Sequence, residues 1–222
     1  MIYQHRIVTA RGGKPEKRHV EFQAQTMNAL DEAGSVLIGA WEVYIGNEAG
    51  SAVWQLRRFD SMADWEIHQD RIRADKQLSE ARKQNLYLHL DEVNTSILRL
   101  ADISPALPAE WPGFDDVRRT ERGDNEQRIL RFQISAAPDH HTLYRDKFMP
   151  ALAREGAELI GLFNTLVGVS TTNRKSMQSV ELRRFPDLAS WQRCGKHRMT
   201  IPRYRNSLSK NGWPTSWSFT AS

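Results

Sequence analysis

The side chains with chemistry to offer are a few histidines, arginines and tryptophans whose spacing ties them together. His68 follows Trp65 by three residues, which puts both on one face of a helix. His5 lies in the opening strand pattern, and Trp41 and Trp54 lie in two later strand patterns. A histidine near neutral pKa beside an aromatic wall suits proton transfer on an apolar or aromatic, carbonyl-bearing metabolite. Arg58 follows Arg57, so a strand would point one of the two to each of its faces. An arginine aimed into a pocket would bind a carboxylate or enolate and stabilise developing negative charge. The expected catalytic set is His68, His5 and Arg58, with Trp41, Trp54 and Trp65 against the substrate. Each has a plainer alternative: a hydrogen-bonded core histidine, a solvent-facing strand histidine, or an arginine paired with an acid such as Glu42 or Glu181.

The remaining candidates offer less. His140-His141 follows Pro138-Asp139 at a helix start, where exposure or capping explains both, and His89-Leu90-Asp91 reads as loop. No His-x-x-x-His spacing with a carboxylate supports a metal, so none is expected. Cys194 stands near Arg193, Lys196 and His197, which would activate a thiol they faced. Its position corresponds to His68, and a small buried hydrophobe explains it as well.

These residues need elements to hold them, and the chain of 222 residues builds those elements twice. Gly34-Ser35-Val36-Leu37-Ile38-Gly39 returns 122 residues later as Gly156 to Gly161. Gln55-Leu56-Arg57-Arg58-Phe59 returns as Glu181 to Phe185, and Trp65 as Trp191, both shifted by 126. The opening strands match at 126 as well, pairing His5 with Arg131. Trp41 then pairs with Phe163, Trp54 with Val180 and His68 with Cys194. The expected domains are 1–100 and 128–222, joined by a proline- and glycine-bearing linker over 101–127, where Trp111 and Phe114 suggest contact with a domain.

Each half reads β-α-β-β-α-β. Strands are expected at Ile2–Thr9, Val36–Ile45, Ala52–Phe59 and Asn94–Leu100, with helices over 16–33 and after a Ser61/Asp64 cap. The second half repeats this order and closes on an alternating strand around Trp217 and Phe219. This is the ferredoxin-like split βαβ arrangement, an α+β fold with helices on one sheet face. The bare faces of two such sheets would cover one another, giving a pseudo-symmetric α+β barrel in one chain.

Composition bounds the rest. At 40% hydrophobic and 26% charged, the chain is an ordinary folded protein, and its +4 net charge is spread too thinly for a nucleic-acid footprint. One cysteine excludes a disulfide framework, and no apolar run is long enough for a membrane helix. A cytoplasmic protein with no nucleic-acid or membrane partner is expected, and exposed edge strands would allow a homo-oligomer.

The opening Met1-Ile2-Tyr3-Gln4-His5-Arg6, Gly39-Ala40-Trp41 after a glycine-stopped helix, and Leu56-Arg57-Arg58-Phe59-Asp60-Ser61-Met62-Ala63 together resemble the NIPSNAP family of dimeric α+β barrel proteins. Leu182 to Ala189 repeats the last of these motifs. The resemblance implies the barrel fold and ligand binding between sheet and helices. Wider relatives include cofactor-free oxygenases, isomerases, lyases and haem enzymes. Taken with the histidines, arginines and tryptophans above, the expected function is a cofactor-independent isomerase, lyase or oxygenase acting by histidine acid/base chemistry. The alternatives are a haem barrel with His68 or His197 as axial ligand, and a non-catalytic binding or assembly module.

Overall fold

Alternation along Ile2–Ala10 (β1) sends Tyr3, His5 and Ile7 to one face and Ile2, Gln4 and Val8 to the other. Both faces are buried, so each must be covered. The computed structural model describes residues 1–10, 30–43, 45–46, 52–76, 79–80, 90–105, 107, 124–133, 137–167, 176–200 and 219–221.

In the first half, β1 is followed by Val36–Glu42 (β2), Ile45–Gly46 (β3), Ala52–Phe59 (β4), the helix Met62–Ala74 (α1) and Leu90–Leu100 (β5). The second half has Asp124–Gln133 (β6), Ala137–Leu143 (α2), a π-helical turn at Tyr144–Phe148 and Met149–Arg154 (α3). Glu158–Val167 (β7), Ser176–Phe185 (β8), Leu188–Thr200 (α4) and Phe219–Ala221 (β9) complete it. The first helix of the first half is described only at its last turn, and Trp111 and Phe114 lie outside the described residues.

All pairings are antiparallel, and the strands run β2-β4-β1-β5-β7-β8-β6-β9-β3. β2 and β3 are separated by only two residues, so the order returns to its starting edge and the sheet closes into a barrel. Each half contributes the ferredoxin-like order. The joins are β5 to β7 on one side and β3 to β9 on the other.

The barrel interior holds an apolar cluster drawn from both halves: Tyr3, Ile38, Leu56 and Leu98 with Phe163, Val180 and Leu182. Burying each such side chain contributes about 1.5–3 kcal/mol, so this cluster is what holds the halves together. Ala101 and Ile103 pack on Tyr144 and Leu162, and Leu107 reaches the interior cluster, so the start of the connecting segment lies against the barrel.

The structure revises several boundaries. β2 breaks at Val43 before resuming as β3, β5 begins at Leu90 and not at Asn94, and β6 begins at Asp124, inside the stretch read as linker. Leu90 and Asp91, expected as loop, are therefore strand. The pairing of His5 with Arg131 is also corrected. His5 faces Leu56 in β4, and Gln127 faces Leu182 in β8. Since Leu56 and Leu182 correspond, so do His5 and Gln127, 122 residues apart.

Candidate functional site

The six residues expected to form one pocket occupy three places. His5, Trp41 and Trp54 lie inside the barrel. His5 is buried, and its Nε2 lies 3.1 Å from Gln127 Oε1. β1 and β6 are not neighbours in the sheet, so this hydrogen bond crosses the barrel between corresponding residues, on its pseudo-two-fold axis. Burial pushes His5 down to about 4, against the opposing pull of Gln127. The imidazole is therefore neutral at pH 7. Trp41 lies over Gly39, where a Cβ would meet the indole at 2.4 Å, and packs with Trp54 against Val43, Ala52 and Ile7.

His68 and Trp65 lie between sheet and helix. Ser61 caps α1 by accepting from Asp64 N at 3.1 Å, and the helix turns His68 and Ile72 inward. His68 is 1% exposed, with Nδ1 3.2 Å from the Ala33 carbonyl oxygen and its ring edge-on to Phe59 at 5.0 Å. Trp65 packs with Ile2, Phe59 and Ile97. This layer is filled by its own side chains, so a haem could reach His68 only by displacing them. His197 is on α4, but its side chain lies outside the description. Among the described residues no group of three His, Cys, Asp or Glu could hold a metal.

Arg57 and Arg58 do diverge. Arg57 is buried on the helix face, 2.7 Å from Ser35 Oγ and 3.4 Å from Asp31 Oδ1. Burial lowers its pKa, and Asp31 opposes that shift. Arg58 stands at the strand end and lines a groove of about 320 Å³. Phe59, Val36, Ala33 and Ile67 give that groove apolar walls, while Arg58, Arg71, Asp60 and Asp64 supply charge. Gly34, at φ 97°, turns the chain there: its N–H donates to Asp31 O, and the N–H of Ser35 donates to Leu30 O.

Gly156 makes the same turn in the second half, at φ 73°. There, however, the corresponding positions carry different side chains. Glu158 stands where Val36 does and pairs with Arg184 at 3.8 Å. Glu155 and Arg193 stand for Ala33 and Ile67 and meet at 3.8 Å. Pro186 replaces Asp60, with its Cγ 3.4 Å from where a Gly156 Cβ would sit. The first half thus has Ala33, Val36 and Ile67 where the second has Glu155, Glu158 and Arg193, and Asp60 where the second has Pro186.

The second half concentrates its charge beneath its helices, at residues not singled out from sequence. Glu181 accepts from both Tyr144 Oη and Arg183 Nε. Arg128 lies 3.4 Å from Glu181, Arg183 lies 3.4 Å from Glu126, and Trp191 Nε1 donates to Glu126 at 3.2 Å. Burial raises the pKa of Glu126 and of Tyr144, the latter also through Glu181. Burial disfavours the Arg183 charge, but Glu181, Tyr144 and Glu126 outweigh it and hold its pKa up. In the first half the same places hold Gln4, Arg6, Gln55 and Arg57. The difference between Gln55 and Glu181 within a repeated tract was the available signal. His140 is half-buried beside Tyr144, with ring centroids 5.9 Å apart, and burial followed by His141 lowers its pKa. Cys194 is buried with Leu152, Ala157, Phe185 and Trp191, which raises its pKa.

Residues 3–105 match the family model described as NIPSNAP. A NIPSNAP-like domain protein from Burkholderia xenovorans is 21% identical, with TM-score 0.43, covering 50% of this chain and 95% of that one. A NIPSNAP family protein from Agrobacterium tumefaciens is 24% identical, with TM-score 0.40 over 47% of this chain and 96% of that one. A candidate monooxygenase from Fusobacterium nucleatum is 8% identical, with TM-score 0.55 over 99% of this chain and 91% of that one, a likeness of fold alone. No curated protein matches. No helix among the described residues is long and apolar enough to cross a membrane.

Proposed function

With residues 3–105 taken as a NIPSNAP domain, we propose that this barrel binds a small organic acid in the first-half groove. Arg58 and Arg71 take the carboxylate by charge-assisted hydrogen bonds, and Val36, Phe59 and Ile67 take the apolar body. The observation that carries this reading is the contrast between the halves. Where the first half lines its groove with Ala33, Val36, Ile67 and Asp60, the corresponding second-half positions hold ion-paired Glu155, Glu158 and Arg193 and a proline.

Binding is favoured over histidine acid/base catalysis, because the groove lining includes no imidazole. His68 lies one layer behind, with its Nδ1 engaged by the Ala33 carbonyl. An isomerase, lyase or oxygenase would need its proton-transfer group from elsewhere.

Calorimetric titration of 4-methylpentanoate tests the reading. Wild type and Arg184→Gln should bind it alike. Arg58→Gln should weaken binding at least ~10-fold, the effect of losing one charge-assisted contact. Val36→Glu with Ile67→Arg should close the groove and abolish binding in a folded protein. Equal binding by all variants sinks the proposal.

A further inference from the structure

The groove carries charge of both signs. Asp60 and Asp64 line it with Arg58 and Arg71, and the corresponding second-half positions hold Pro186 and Ser190. Its carboxylates are thus particular to the first half. Asp64 is held in place by Ser61, whose Oγ donates to Oδ2 at 2.5 Å, so one carboxylate is fixed at the mouth. A plain anion entering here would meet two guanidinium groups but would also leave two carboxylates facing it. A plain cation would face the reverse problem. A molecule with an anionic and a cationic end matches both pairs, and its apolar part would lie on Val36, Phe59 and Ile67. The volume of about 320 Å³ is at the lower end of small-ligand pockets, which limits the occupant to metabolite size.

We infer that the natural occupant is amphoteric: a small molecule bearing a carboxylate for Arg58 and Arg71 and a protonated amine for Asp60 and Asp64, as in an α-amino acid with an apolar side chain. This rests on the groove being the binding site, and the test separates the two claims.

Three probes share one branched carbon skeleton: L-leucine, 4-methylpentanoate and 3-methylbutan-1-amine. Each is titrated calorimetrically into the full chain and into Asp60→Asn/Asp64→Asn, with far-UV circular dichroism confirming that the variant folds. Leucine should bind wild type at least ~10-fold more tightly than either relative, the effect of one further charge-assisted pair. The double variant should remove leucine's advantage over 4-methylpentanoate, because the carboxylates that hold the amine and oppose the plain acid are both gone. If acid and leucine bind wild type equally, the amphoteric inference fails while the groove stands. If none of the three binds, the groove reading fails as well.

Discussion

His5 was expected to be a catalytic side chain or a solvent-facing strand histidine, and it is buried inside the barrel. Its strand and its histidine type were legible, but its face was not, because both faces of β1 are buried. The outcome is a neutral imidazole bonded to Gln127 across the barrel. Its pKa falls from 6.5 in the unfolded chain to about 4 in the fold. The unfolded state therefore binds the extra proton between those values, and stability drops as pH falls from about 6.5 towards 4. The loss attributable to His5 approaches roughly 3 kcal/mol at the acid end. Urea unfolding at pH 7.5 and 4.5 should show a smaller acid loss for His5→Gln than for wild type. Equal losses would mean that the imidazole titrates normally. Glu181 makes the opposite case, a neutral residue in one half replaced by a charge in the other. Glu181→Gln leaves Arg183 and Arg128 buried beside a weaker acceptor. It should cost about 3 kcal/mol or more in urea unfolding, as breaking a buried pair usually does. A cost below ~1 kcal/mol would show that Glu126 suffices.

Elements were more legible than single residues, because periodicity and caps are local. β4 was read to its ends, and Ser61 caps α1 as its spacing with Asp64 implied. Irregularities were harder. The register of β2 on β4 shifts between Leu37 and Gly39, and that of β7 on β8 between Leu159 and Gly161, so each half has a bulge before its glycine. The ring two residues on lies over that glycine: Trp41 on Gly39, Phe163 on Gly161. Glycine is needed there as space for an aromatic wall. Gly39→Ala should destabilise by about 1–3 kcal/mol through overpacking, with Gly161→Ala similar. Combining Gly39→Ala with Trp41→Ala should cost less than the two changes separately, since without the indole the methyl group has room. Full additivity in thermal unfolding would show that the contact is unimportant. The offset of the opening strands escaped sequence reading for a related reason. Short similar strands align at several shifts, and cross-strand register alone decides among them.

For the whole molecule, amphipathic strands with helices on one face imply a second sheet on the other, and the closed barrel supplies it. The pattern could not indicate how the two halves differ around the glycine turns, because pairs such as Arg193–Glu155 leave no periodic trace. Removing residues 219–222 should unpair β3 and β6 at the second join. It should lower the thermal midpoint and promote association visible in light scattering, since open strand edges recruit one another. A monomer of unchanged midpoint would show that β5 and β7 suffice. That join also sets a schedule for biosynthesis. Ile45 pairs with Ala221, 176 residues further along the chain. At about 5–20 residues per second, the ribosome needs roughly 10 to 35 s to deliver the missing partner. Through that interval the nascent first half carries an unsealed edge and a bare apolar face, so a chaperone that shields growing chains would matter more to this protein than its modest size suggests.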